Sequence, residues 1–284
     1  MLVIVGFLIV LGAVLGGFML AGGHLLALYQ PFEILIIGGA AFGAFLVSNS
    51  SSLVKQVFKK LPSLLGSHKF GKPMYMDLLS LLYDLFSKAR REGMMAIEED
   101  VENPSESAVF AKYPAIIMDE NLTHFIADYL RIVSSGNLAP HELEALMDQE
   151  IETRYEELEQ PAAAVTRVSD ALPGFGIVAA VLGIVITMES MNEGPEVIGH
   201  HVAAALVGTF LGILMAYGFV GPVGTKLEHM AQEEIKLYEC IKTCLLANVN
   251  GMPPQMCVEF GRKVLNSEER PTFHELEEHV RNKE

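Results

Sequence analysis

Basic residues are missing from two long stretches of this chain. All twenty Lys and Arg lie within Lys55–Arg167 and Lys226–Lys283, and none in Met1–Val54 or Val168–Thr225. The base-free stretches carry the long apolar runs. Positive charge is retained on the cytoplasmic side during membrane insertion, so the two basic blocks read as cytoplasmic. A helix rises about 1.5 Å per residue and the hydrocarbon core is roughly 30 Å thick, so a span needs about 20 mainly apolar residues. Four segments meet that length: Leu2–Gly22, Ile34–Leu53, Ala171–Met188 and Val202–Val223. The expected fold is an all-α integral membrane protein with four transmembrane helices and a large helical cytoplasmic domain. It divides into residues 1–54 (spans one and two), 55–170 (cytoplasmic), 171–225 (spans three and four) and 226–284 (a cytoplasmic C-terminal helical extension).

An even number of spans puts both termini on one side of the membrane, and the basic blocks fix that side as the cytoplasm. The outside segments, roughly Gly23–Glu33 and Glu189–His201, are short and carry acids but no base. A cleaved signal peptide is the competing reading of the N-terminus, and the lack of a basic region ahead of the apolar run argues against it. Of 35 acidic residues only Glu33, Asp170, Glu189, Glu193 and Glu196 fall in the base-free stretches, so the cytoplasmic blocks are net acidic. That excludes a nucleic-acid partner, which needs clustered positive charge.

Helical periodicity recurs through the cytoplasmic blocks. Leu53–Leu65 places Leu53, Val57, Phe58, Leu61 and Leu65 away from Lys55, Lys59 and Lys60, as in a helix lying on the inner membrane face with its lysines toward anionic lipid. Pro62 limits its length. Met74–Arg91, Asp119–Ser135 and His141–Gln160 are further helices, and span four runs on directly through Lys226–Asn250. The first of these ends in a dense charge group, Arg90, Arg91 and Glu92 before Gly93 and Glu98, Glu99 and Asp100 after it. From composition alone this is a solvated helix end whose ion pairs contribute a few tenths of a kcal/mol each. Cys240, Cys244 and Cys257 read as reduced, small, buried residues; a metal site at C-x3-C lacks a second pair of ligands.

The spans contain no central carboxylate, and their polar groups are hydroxyls such as Thr187, Thr209 and Tyr217. Proton relays through a bilayer need ionisable groups. If this chain conducts protons, a partner must supply one. Gly12-x3-Gly16, Gly39-x3-Gly43 and Gly208-x3-Gly212 allow close helix approach, within the subunit or between subunits. Pro173 stands where a helix start would tolerate it, whereas Pro222 follows Gly218 and Gly221 inside an apparently continuous helix and favours a kink. His200-His201 reads as a solvated pair rather than a metal site. Zinc-protease, P-loop, nucleophile-elbow and dinucleotide motifs are all absent, which points away from an enzyme and from any cofactor.

Two segments, Pro173-Gly-Phe-Gly-Ile-Val-Ala-Ala-Val-Leu-Gly183 and Val207-Gly-Thr-Phe-Leu-Gly-Ile-Leu-Met-Ala-Tyr-Gly-Phe-Val-Gly-Pro222, closely resemble the flagellar motor stator A subunits, the MotA family. The resemblance extends over essentially the whole chain through Tyr29-Gln-Pro31, Tyr75-Met-Asp-Leu-Leu79, Glu144-Ala-Leu-Met-Asp148, Val258-Glu-Phe-Gly-Arg-Lys263 and Glu269-Arg-Pro271. It implies a homo-oligomeric, pentameric ring of A subunits around the single membrane helices of two B subunits (MotB), which supply the proton-accepting Asp and anchor to peptidoglycan. It also implies that Arg90 and Glu98 engage opposite charges on the rotor switch-ring protein (FliG), which replaces the compositional reading of that charge group. Pro173 and Pro222 match the two prolines of the family that couple ion flow to movement, and Thr209 matches a hydroxyl lining the ion path. Ala180 stands where sodium-driven relatives carry Thr, so the resemblance implies a proton-driven member; Na⁺ prefers oxygen ligands that Ala lacks.

Energisers of outer-membrane transport of the ExbB/TolQ type are the nearest rival. They have three spans with the large cytoplasmic block after the first, whereas here it follows the second. A membrane scaffold without energy coupling is the more distant rival.

Overall fold

The computed structural model describes residues 2–66, 70–136, 138–189, 192 and 194–283, and every regular element among them is helical. In chain order the helices are α1 Leu2–Leu20, α2 Leu25–Leu28, α3 Pro31–Ser48, α4 Ser51–Lys60, α5 Lys72–Glu92, α6 Glu98–Glu102, α7 Pro114–Ile117, α8 Glu120–Ser135, α9 Pro140–Glu189, α10 Pro195–Ile213, α11 Gly221–Val249, α12 Pro254–Val264 and α13 Phe273–Lys283. A π-helical segment, Leu214–Val220, joins α10 to α11. Four helical stretches are long and apolar enough to cross a membrane: Leu2–Leu20, Leu25–Ser48 and parts of Pro140–Glu189 and Pro195–Val249.

Two compact units emerge, one of Met1–Ser67 with Leu158–Met230, the other of His68–Glu157 with Ala231–Glu284. The division falls inside α9 and inside α11. The first unit holds the apolar stretches. Its α1 buries no residue, and its α3 buries only Glu33, Ile37, Ala41 and Phe45, at successive four-residue steps along one face.

Three local results depart from the sequence reading. The second span stops at Ser48 rather than Leu53. There Asn49 Nδ2 donates to the Phe45 carbonyl at 2.7 Å, and Ser50 caps α4 by accepting from Leu53 N at 3.2 Å, so the chain changes direction between two helices. The apolar side of α4 then meets its own subunit. Leu53, Val57 and Leu64 join Phe45, Ala162, Ala164, Val165 and Leu227 in one buried cluster, while Lys55 and Lys59 stay exposed. Finally, Pro173 starts nothing: α9 is one 50-residue helix with Pro161 and Pro173 inside it. Each proline removes a helix hydrogen bond; Pro173 adjoins the close packing of Leu172 and Gly176 against α10, and Pro161 adjoins the buried Ala162–Val165 cluster.

In the second unit α5 begins at Lys72 with Pro73 in its first turn and ends at Gly93, whose φ of +90° lets its N–H reach the Ala89 carbonyl at 2.9 Å. Leu78, Leu79, Leu82, Leu85 and Phe86 are buried along it, each contributing about 1.5–3 kcal/mol relative to exposure. Two buried polar groups of this unit are paired. Asp100 accepts from Lys88 at 2.7 Å and Ser107 at 2.6 Å, and the Tyr129 hydroxyl donates to Glu150 at 2.7 Å. The hydroxyls of Tyr113 and Tyr129 are pushed well above the usual range, first by burial and then by the neighbouring carboxylates Asp84 and Glu150. Cys240, Cys244 and Cys257 are buried free thiols, and burial also raises the Cys244 thiol.

Candidate functional site

In the first unit α9 and α10 meet through a ladder of small residues. A Cβ on Gly212 would lie 2.8 Å from the Leu172 carbonyl oxygen and 2.9 Å from Gly176 Cα, and a Cβ on Gly183 would lie 2.9 Å from Ala205 Cβ. Backbones approach this closely only where side chains are missing. Gly208 and Gly212 therefore serve packing within the subunit. Gly12, Gly16, Gly39 and Gly43 have nothing within 4 Å of a would-be Cβ, so those two spacings remain open on the surface of the subunit.

At one rung of the ladder three helices converge. A Cβ on Gly208 would touch Ala179 Cβ at 3.2 Å and Ala180 N at 3.4 Å from α9, and Glu33 Cγ at 3.5 Å from α3. Ala180 and Thr209 are both half-buried and flank this rung. The Thr187 hydroxyl, by contrast, is taken up in its own helix by the Gly183 carbonyl at 2.8 Å. Glu33, expected at the end of the first outside segment, lies in the first turn of α3, 9% exposed, with a buried Oε2 that has no hydrogen-bond partner among the described residues; its burial is what sequence reasoning did not show.

One turn and more below that rung the two prolines come into relation through a serine. Pro173 has no N–H to offer the carbonyl four residues earlier, that of Ser169. The Ser169 hydroxyl, only 3% exposed, turns away to α10's continuation and donates to the Ala216 carbonyl at 2.9 Å. Ala216 sits in the π segment, where its carbonyl also accepts from Gly221 N in the five-residue register, immediately before Pro222. The kink expected at Pro222 is thus realised as π-helical widening ahead of it, one of the recognised ways a helix absorbs an irregularity. Pro173 is half-buried and Pro222 exposed. Ser169 and Ala216 carried no sequence signal, because a serine and an alanine are unremarkable in any span.

The predicted rotor-facing residues belong to the second unit. Arg90 lies in the last turn of α5 and Glu98 opens α6, on either side of the Gly93 turn. Both are exposed, and neither forms an ion pair among the described residues. Arg90 borders a shallow pocket with Tyr83, Ser87, Arg91, Pro253, Pro254 and Gln255. Among the described residues no group of three His, Cys, Asp or Glu side chains is placed to hold a metal ion.

Residues 4–93 match the motility protein A N-terminal family, and residues 117–240 match the MotA/TolQ/ExbB proton channel family. The chain is 52% identical to motility protein A of Salmonella typhimurium over 99% of its length and 95% of that protein's. It is 51% identical to motility protein A of Escherichia coli with the same coverage, and 39% identical to the chemotaxis protein LafT of Vibrio parahaemolyticus over 96% of this chain and 95% of the relative. Its fold is similar to that of a chain in the structure of C. jejuni MotAB, with a TM-score of 0.78 at 20% identity over 95% of this chain and 98% of that one. It is also similar to the flagellar MotAB stator complex from Bacillus subtilis, with a TM-score of 0.71 at 24% identity over 90% and 92%. With two family domains in order and half its residues shared along nearly its full length, this chain belongs to the motility protein A family.

Proposed function

We propose that this chain is the A subunit of a proton-driven flagellar stator, which conducts protons across the inner membrane together with a B subunit and converts the flow into torque on the rotor. The observation that carries the reading is the junction in the first unit, where the helix bearing Ala180 and Pro173 is bonded through Ser169 to the π segment that precedes Pro222. A base-free membrane bundle with a deformable, hydrogen-bonded joint suits a path whose titrating event must move helices.

In this reading the B subunit (MotB) contributes the Asp that takes up the proton, beside Ala180 and Thr209. Neutralising that carboxylate removes its demand for polar contacts, and the change is felt at the Pro173–Ser169–Ala216–Pro222 joint. A pentameric ring of A subunits then steps around the B helices, with both chain termini cytoplasmic. Arg90 and Glu98, exposed and unpaired, push on opposite charges of the switch-ring protein (FliG). The work is mechanical rather than catalytic. Energisers of outer-membrane transport are not favoured, since the relatives aligned over nearly the whole chain are motility and chemotaxis proteins.

The deciding experiment is co-expression with the candidate B subunit, measuring proton flux and swimming with the B-subunit Asp intact or replaced by Asn. Flux and swimming that both vanish with Asn support the stator. Flux unaffected by that replacement would sink it.

A further inference from the structure

Resting on the stator reading, we infer that Glu33 is a proton-binding site of the A subunit itself, at the outer mouth of the path. An ionised carboxylate buried without a partner costs several kcal/mol, so a carboxyl kept only for packing would be paired or replaced by an apolar side chain. Glu33 is neither. Its Oε2 is buried and unpartnered, and the base-free stretches around it offer no Lys or Arg. Within the base-free stretches the described titratable side chains of the neighbouring elements are His24 and Tyr29 flanking α2, Asp170 and Glu189 on α9, Glu196, His200 and His201 on α10, and Tyr217 in the π segment. None is hydrogen-bonded or ion-paired to Glu33 among the described residues. Ionisable groups held inside membrane helices mark ion routes.

Position gives the group its task. The Glu33 methylenes lie against Gly208, at the rung where α9 and α10 carry Ala180 and Thr209. The smallness of Gly208 makes the space for the acidic arm. The carboxylate takes a proton from hydronium arriving outside, leaving water. It then passes that proton to the carboxylate of the B-subunit Asp and returns to its anion, so charge and atoms balance at each turn.

The test uses the co-expressed complex with the B subunit in proteoliposomes, with proton flux followed as external pH is stepped. Glu33→Gln should cut flux about tenfold or more and flatten its dependence on external pH. Glu33→Asp should restore most of the flux with a displaced pH midpoint, an outcome a purely structural role would not give. An assembled Glu33→Gln complex with the parent's flux and pH profile would overturn the inference. If Glu33→Gln fails to co-purify with the B subunit, the Asp variant decides: a displaced midpoint supports the site, and an unmoved one rejects it. The B-subunit Asp→Asn control separates the two readings, because a parent without Asp-dependent flux fails as a stator, and this inference falls with it.

Discussion

Single atoms decide much at the joint between α9 and the π segment. Removing one hydroxyl, in Ser169→Ala, leaves the Ala216 carbonyl without its cross-helix donor. The expected cost is about 1 kcal/mol of stability, measurable as a lower Tm in detergent, together with slower swimming. Adding one methyl is worse where backbones touch. Gly212→Ala drives a Cβ to within 2.8 Å of the Leu172 carbonyl, and overpacking of this kind costs roughly 1–3 kcal/mol. Gly43→Ala meets nothing within 4 Å and should leave the isolated subunit as stable as before or slightly more so. A motility loss in Gly43→Ala without a Tm loss would then locate a contact with another chain. Glu33 shows why residues of this kind escape sequence reading. Its burial depends on Gly208, far along the chain on a different helix, and nothing local to Pro31–Phe32–Glu33 announces that neighbour.

Helices were the most legible elements, and their ends the least. Hydropathy and the distribution of Lys and Arg place the spans, because lipid and insertion act on whole segments. The start at Asp119 and the stop at Gly93 likewise follow from turn and cap residues that the sequence displays, whereas the Ser50 cap is hidden inside the apolar run that carries span two on to Leu53. The unbroken α9 does not follow, because proline rules are local whereas the packing that tolerates Pro161 and Pro173 is tertiary. Helix α13 offers a test at this scale. Its Glu275 accepts from Lys72 at 2.7 Å and from Thr272 N at 2.7 Å, and the Lys72 bond above all lowers the carboxyl from its ordinary 4.5 to about 2. A depressed folded-state value means that the contribution is fully present above the ordinary value and is lost as pH falls toward 2. Hydrogen exchange should therefore show α13 loosening within that acidic window, and Lys72→Met should weaken the pH dependence, the Thr272 bonds keeping part of it, while leaving the rest of α5 protected.

At the scale of the whole molecule, one unit holds both base-free stretches, and with them the proposed path, while the other holds Arg90 and Glu98. Their exposure, with no ion-pair partner among the described residues, leaves both charges available to another protein. Arg90→Glu and Glu98→Lys should each impair swimming while leaving proton flux and Tm unchanged, with partial recovery when the opposing rotor charges are reversed. Normal swimming in both variants would remove these residues from the rotor contact. The composition of the charge group alone points instead to a solvated helix end, since exposed charges look alike, and the rotor role rests on the family resemblance.

The π segment also sets a phase. Residues facing α9 run Ala205, Gly208, Gly212 and Ala216, then jump five to Gly221 before resuming at Gly224, which sits over Thr166. In an unbroken α-helix one surplus residue would turn everything after it by about 100° of azimuth, and the π widening absorbs that residue, so the small-residue seam stays aligned on both sides of the joint. Deleting one residue of Leu214–Val220 would leave Gly212 and Gly221 two ordinary four-residue steps apart, so a helix of regular pitch would keep Gly224 in the seam and lose only the widened joint.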